Sequence, residues 1–397
     1  MKLLSFMFLI VTTCLALVVA VLRKQGQLEA MPNAARNAEG RTTDELLQGF
    51  ASIHPIDIHA HVFDKGNPAF LDMLRRLDLH MVDLLVVGDD PGLWREFATP
   101  AYVDRYSKGL DPLRADAFAV VRGSGGRAVL CTTFDPYKFR DPEFAANAIE
   151  QLNKDFAAGA VAVKIWKNLG MEIRKADGSF LMPDDPILEP IYNDIERHHR
   201  TLIAHLAEPD VCWQPPDPTN PELSYFRDNP RWYMYLHPDY PSKKAILTAR
   251  DHILERNPKL RFVGAHMGSM ESDVDQIAER LDKYPNFAVE TGDRLYELMS
   301  QPREKVMAFL IKYQDRVLYG TDLILPRGAK KGALDRFRTT YARDWGLFAT
   351  DETVELEGRK FRGLKLPESV LRKLFRDNAL KWVPGVIRAD SASNNKS

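Results

Sequence analysis

The chain has 397 residues, and its 54 lysines and arginines against 55 acids leave a formal net charge of −1. That balance excludes the basic footprint of a nucleic-acid-binding protein, and 45% hydrophobic with 27% charged residues excludes wholesale disorder. The three cysteines, Cys14, Cys131 and Cys212, form no CxxC pair, which excludes a thiolate zinc site and a disulfide framework.

In chain order, Leu3–Leu22 is an uncharged, mostly apolar run of 20 residues between Lys2 and Arg23-Lys24. It is long enough to span a bilayer, and Val18-Val19-Ala20 offers a cleavage site. Residues 1–24 therefore read as a signal peptide or a membrane anchor. Either one predicts an exported body, periplasmic or otherwise extracytoplasmic, touching the membrane only if the segment is uncleaved. Residues 25–49 read as a flexible polar tether, 50–388 as the main domain and 389–397 as a Ser/Asn-rich tail.

From Ile53 onward, short apolar runs alternate with amphipathic segments. Strands are expected at Pro55–Val62, Val82–Gly88, Ala128–Phe134, Val161–Trp166, Thr201–Leu206, Leu260–His266, Asn286–Glu290 and Val317–Asp322. Helices are expected at Pro142–Ala158, Pro186–His198, Lys243–Arg256, Asp273–Lys283, Glu304–Lys312 and Pro367–Leu380. This alternation predicts an α/β fold, a closed (β/α)8 TIM barrel with long βα loops. An open doubly wound sheet would carry a Gly-rich phosphate turn after its first strand; Phe63-Asp64-Lys65-Gly66-Asn67-Pro68 is no such turn. Cys131, inside an apolar strand, reads as a small buried hydrophobe.

Four histidines fall at strand ends. His59 and His61 close the first strand, and side chains two apart on a strand share a face, roughly 6.5 Å apart, within reach of one ion. His205 ends the fifth strand, His266 the sixth, and Asp322 the eighth. A barrel delivers all of these ends to one rim. There, imidazoles and a carboxylate would need a shared partner, which a metal ion supplies.

The order HxH, strand-five His, strand-six His and strand-eight Asp resembles the amidohydrolase superfamily. The strings Ile56-Asp57-Ile58-His59-Ala60-His61, Gly264-Ala265-His266-Met267-Gly268 and Tyr313–Asp322 resemble its amidohydrolase-related (family 2) branch. The resemblance spans about Pro55 to Trp382 and implies His59, His61, His205 and Asp322 as ligands of one divalent metal, usually zinc. It implies His266 as a ligand or as a residue that polarises or protonates substrate from just outside the ligand set. Lys164 in strand four has three readings: an anchor for a substrate carboxylate, a structural ion pair, or a carbamylated bridge holding a second metal. By strand alternation Lys167 should point away from the interior if Lys164 points in.

The implied chemistry is hydrolysis of an amide, ester or lactone by a metal-activated water, with Asp322 as proton shuttle and His266 donating to the developing oxyanion. Non-oxidative decarboxylation of a small molecule and a non-catalytic metal barrel are the alternatives. Trp213–Pro241 holds seven prolines and seven aromatics. It reads as an aromatic wall of the substrate pocket, with Trp213 and Arg231 as candidate substrate contacts, or else as a satellite core or homodimer interface. A second excursion, Arg327 to about Lys365, contains Arg336, Arg338 and Trp345 and is placed along the pocket.

Overall fold

The computed structural model describes residues 41–87 and 110–387. Its main sheet runs through β1 (Ile56–Val62), β2 (His80–Leu84), β3 (Ala128–Thr133), β4 (Ala162–Ile165), β5 (Thr201–Ala204), β6 (Arg261–Gly264), β7 (Phe287–Glu290), β8 (Val317–Leu318) and β9 (Leu323–Leu325). Neighbours pair in parallel in the order β8-β7-β6-β5-β4-β3-β2-β1-β9. The last two strands are halves of one stave. β8 pairs with β7 and β9 with β1, while Ile58 N donates to Tyr319 O at 3.1 Å and Asp322 N to His59 O at 2.7 Å across the seam. These bonds close the sheet into the expected α/β barrel. The expected continuous strand Val317–Asp322 breaks because Asp322 takes a left-handed φ of 60°.

Most expected helices form with small shifts at their ends. Lys243–Arg256 matches in both bounds, its Ser242 side chain capping Ala245 N at 3.2 Å. Inside the barrel, Ile56, Ile58, Val82, Leu84, Val129, Cys131, Ala162, Ile203, Val263, Ala288 and Leu318 form an apolar plug. Burial pushes the Cys131 thiol well up, as a small buried hydrophobe requires.

Two expectations need correction, and a third gains detail. The tether ends sooner than residue 49: Thr43–Ala51 is a helix whose Thr42 and Glu45 form a reciprocal capping box and whose Leu46, Leu47 and Phe50 are buried. The last helix, which the family resemblance places on the barrel exterior, also reaches inside it. Ala379, Trp382, Val383 and Val386 join the interior plug, and Thr201 Oγ1, at the start of β5, donates to Trp382 O at 2.5 Å. The helix therefore stoppers the barrel at the strands' N-terminal ends, leaving the opposite rim for chemistry. The Arg327–Lys365 excursion forms a helix (Lys331–Ala349) and a hairpin of β10 (Thr353–Leu356) and β11 (Arg359–Arg362). Within it, Arg338 pairs with Asp44 at 2.7 Å and Trp345 packs on Phe50, so this segment buttresses the N-terminal helix.

No helix among the described residues is long and apolar enough to cross a membrane. The Leu3–Leu22 segment, most of the tether, Gly88 and the 389–397 tail lie outside the described residues.

Candidate metal centre

One polar layer sits above the apolar plug. On β4, Ala162 faces the interior, so Lys164 does too; the same step takes β5 from Ile203 to His205 and β7 from Ala288 to Glu290. On β1 the phase changes. Ile56 and Ile58 face the plug, yet Ala60 and Val62 belong to the outer shell. A register shift between Asp57 and Ala60 accounts for it. This irregularity turns His59 and His61 inward above two inward isoleucines. Asp57 holds it in place, accepting from His59 N at 3.0 Å, Thr321 Oγ1 at 2.6 Å and Tyr341 Oη at 3.1 Å.

The layer converges on Asp322. Its Oδ1 lies 3.2 Å from His59 Nε2 and 3.1 Å from His61 Nε2, and its Oδ2 is 3.9 Å from His266 Nε2. His59, His266 and Asp322 offer ligand atoms that all lie within 4.8 Å of one another. Lys164 Nζ stands 3.5 Å from His59 Nε2. His205 packs edge-on against His266, ring centroids 4.2 Å apart, with its Nε2 3.5 Å from Glu208 Oε2. His266 begins a strained turn: His266, Met267 and Ser269 have φ of 57°, 55° and 56°.

Acceptors behind the rings settle the tautomers. His61 Nδ1 meets Leu84 O at 2.7 Å, and His266 Nδ1 meets Gly292 O at 2.8 Å. A carbonyl oxygen has no proton to give, so each neutral ring keeps its proton on Nδ1 and bares a lone pair at Nε2. His59 Nδ1 donates to Glu290 Oε1 at 2.8 Å, which leaves Nε2 as the ring atom turned toward Asp322. In its neutral form His266 therefore presents a lone pair at Nε2.

The electrostatics set His59 apart from the other rings. Burial pushes the imidazoles of His61, His205 and His266 below their ordinary value, His205 to about 4, which keeps them neutral. Burial and the Lys164 ammonium lower His59, but Asp322 and Glu290 outweigh both and bring it up to about 9. Burial raises the Asp322 carboxyl, yet His59 and the imidazole contacts hold it well below the carboxylate range. Burial also lowers the Lys164 ammonium.

The residues fit a divalent ion. His205 Nε2 and His266 Nε2 are buried without hydrogen-bond partners, which is costly unless another partner is supplied. Neutral imidazoles and an ionised carboxylate are the donor set such ions take. The amidohydrolase family model matches residues 56–385. The chain belongs to the amidohydrolase family. No curated protein matches it.

Among solved structures, this amidohydrolase is similar to a 2,6-dihydroxybenzoate decarboxylase at 14% identity, over 82% of this chain and 99% of that one, with a TM-score of 0.45. It is also similar to the 4-oxalomesaconate hydratase of Rhodopseudomonas palustris at 12% identity, over 86% and 99%, with a TM-score of 0.46. A third is the dihydroorotase of Campylobacter jejuni at 13% identity, over 82% of each chain, with a TM-score of 0.41. Membership rests on the family match and not on these likenesses. The protein is thus an enzyme, a metal-dependent hydrolase by family.

The rim of the amidohydrolase departs from expectation at Lys167. Alternation fails there because β4 ends at Ile165 and the chain has already turned. Lys167 is buried, ion-paired with Glu208, bonded to Tyr225 Oη at 2.9 Å and set over the Trp232 ring at 4.6 Å. Trp213 Nε1 donates to Pro241 O at 3.3 Å, tying off the neck of the aromatic loop. Arg231 pairs with Glu172 Oε1 at 3.0 Å and lies over Trp232. These polar groups, expected at substrate, are engaged in holding the loop. Phe226 and Trp232 are fully buried beneath it, which is the satellite-core reading.

Lys167→Met should cost about 3 kcal/mol of stability by chemical denaturation, because among the described residues it leaves the buried Glu208 carboxylate with Arg294, 3.7 Å away, as its remaining cation. A loss below about 1 kcal/mol would show that the pair does not carry the loop.

Sequence reasoning missed Glu290, Asp57 and Glu208. The available signal was a charged residue inside or just after an apolar strand, which is expensive to bury without a purpose.

Proposed function

We propose that this amidohydrolase directs water at the carbonyl carbon of an amide, ester or lactone, using one divalent ion, with zinc the first choice. His59, His61, His266 and Asp322 would hold the ion, with His205 completing the set from beside His266. The observation that carries this reading is the convergence of three imidazole Nε2 atoms on a single ionised carboxylate. The chemistry such an ion supplies is polarisation of a carbonyl and acidification of water.

Asp322 does the proton work. Its side chain is 25% exposed, whereas those of His59 and Glu290 are almost wholly enclosed, so it faces both the ring nitrogens and the open rim. With Oδ1 committed to His59 and His61, Oδ2 takes a proton from the attacking water and returns it to the leaving group. Lys164 contributes an ammonium that balances negative charge on substrate oxygens. Trp213 and Arg231 act by holding the aromatic wall in place. Export through the Leu3–Leu22 segment is part of the same proposal.

The test is turnover of a panel of lactones, N-acyl amides, esters and aryl carboxylates in heavy-oxygen water and, separately, in deuterated water. Hydrolysis places solvent oxygen in the product acid. Release of carbon dioxide with solvent deuterium on the product carbon would overturn the proposal in favour of decarboxylation.

A further inference from the structure

We infer that Glu290, at the end of β7, is the positioning residue of the metal centre, one carboxylate that sets both the ring of His59 and the turn at His266. The inference rests on the metal-centre reading. Glu290 is fully buried and is bonded by three donors from three different strand ends. Its Oε1 accepts from His59 Nδ1 at 2.8 Å and from His266 N at 2.8 Å, and its Oε2 accepts from Gly292 N at 2.5 Å. Each bond constrains something the centre needs. The first pins His59 Nδ1 and so turns Nε2 toward Asp322. The second grips the amide of a residue held at a φ of 57°, a conformation costly for a side chain of this size. The third fixes Gly292, whose carbonyl oxygen accepts from His266 Nδ1 at 2.8 Å. Glu290 thus reaches His266 twice, through its own amide and through Gly292.

The backbone is shaped around this carboxylate. A Cβ on Gly320 would lie 2.3 Å from Glu290 Oε2 and 2.9 Å from His59 Cβ. A Cβ on Gly292 would lie 2.8 Å from Oε2 and 3.2 Å from His59 Nδ1. Neither glycine has a positive φ. Glycine is therefore needed at both places for close approach and not for backbone freedom. A buried carboxylate is a poor device for stability alone, since desolvation consumes most of what its contacts return. Its contacts here all orient metal-facing rings, the arrangement in which a carboxylate behind a histidine fixes tautomer and direction.

The test is zinc affinity, measured by competition with a chelator on metal-stripped protein near neutral pH. Glu290→Gln keeps the size, and its amide oxygen can still accept from His59, but its NH2 then confronts the Gly292 N–H. Zinc affinity should fall about 10- to 100-fold while the metal-free variant melts close to wild type. The visible bands of the cobalt-loaded variant should shift as well, which a purely structural role would not produce. Affinity within about threefold of wild type would overturn the assignment. If wild type itself takes up no metal, the metal centre falls, a different failure from that of Glu290. Should Glu290→Gln not fold, Gly292→Ala carries the test, because its methyl group pushes on both Oε2 and His59 Nδ1. Unchanged zinc affinity in that folded variant would overturn the assignment equally.

Discussion

Asp322→Asn should lower kcat/KM by about 10³-fold at saturating metal, the loss expected when a positioned acid–base group is removed. The substitution is a clean one. Asn has the same shape, and it is among the few residues that tolerate the left-handed φ of 60° found at position 322. The backbone bond from Asp322 N to His59 O, at 2.7 Å, does not involve the side chain and survives. What disappears is the charge between His59 and His61 and the oxygen that accepts a proton. The variant's amide oxygen still offers a weak ligand, so added metal restores occupancy but not proton transfer. The check is steady-state turnover of the best panel substrate across a metal titration, alongside the melting temperature of the metal-free protein. Turnover within about a factor of three of wild type, at any metal concentration, would remove Asp322 from the chemistry.

The strand-end histidines were legible in sequence because two simple regularities act together. Side chains alternate along a strand, and a barrel brings every C-terminal strand end to one rim, so His205 and Lys164 follow from counting along single strands. His59 and His61 were found by the same counting, although the phase change on β1 that turns them inward was not visible. It depends on Asp57 bonding Thr321 and Tyr341, residues more than 260 positions away. Glu290 escaped notice because one acid ending an apolar run looks like the strand's exit to solvent. Lys167 was misplaced because alternation was carried past the last strand residue, Ile165. The N-terminal helix was hidden by a polar flank that masks the short Leu46-Leu47-Phe50 face. The C-terminal stopper was hidden because a helix pattern does not say which end of a barrel it will close. In each case the missing information is a tertiary partner, and no local pattern encodes it.

The second large effect is loss of metal from the paired variant His59→Ala, His61→Ala. Two of the three Nε2 atoms that meet Asp322 belong to these residues, and their Nδ1 atoms are already fixed by Glu290 and Leu84 O. His205, His266 and Asp322 remain, but they come from three separate strand ends with no shared backbone to hold them. Removing two of these five candidate ligands lowers affinity below what dialysis retains. Elemental analysis of zinc, manganese, iron and cobalt per chain, on dialysed wild type and this variant, measures it directly. About one equivalent in wild type and almost none in the variant is the predicted result. A wild type that holds no metal after loading, or a variant that keeps the wild-type stoichiometry, would contradict it.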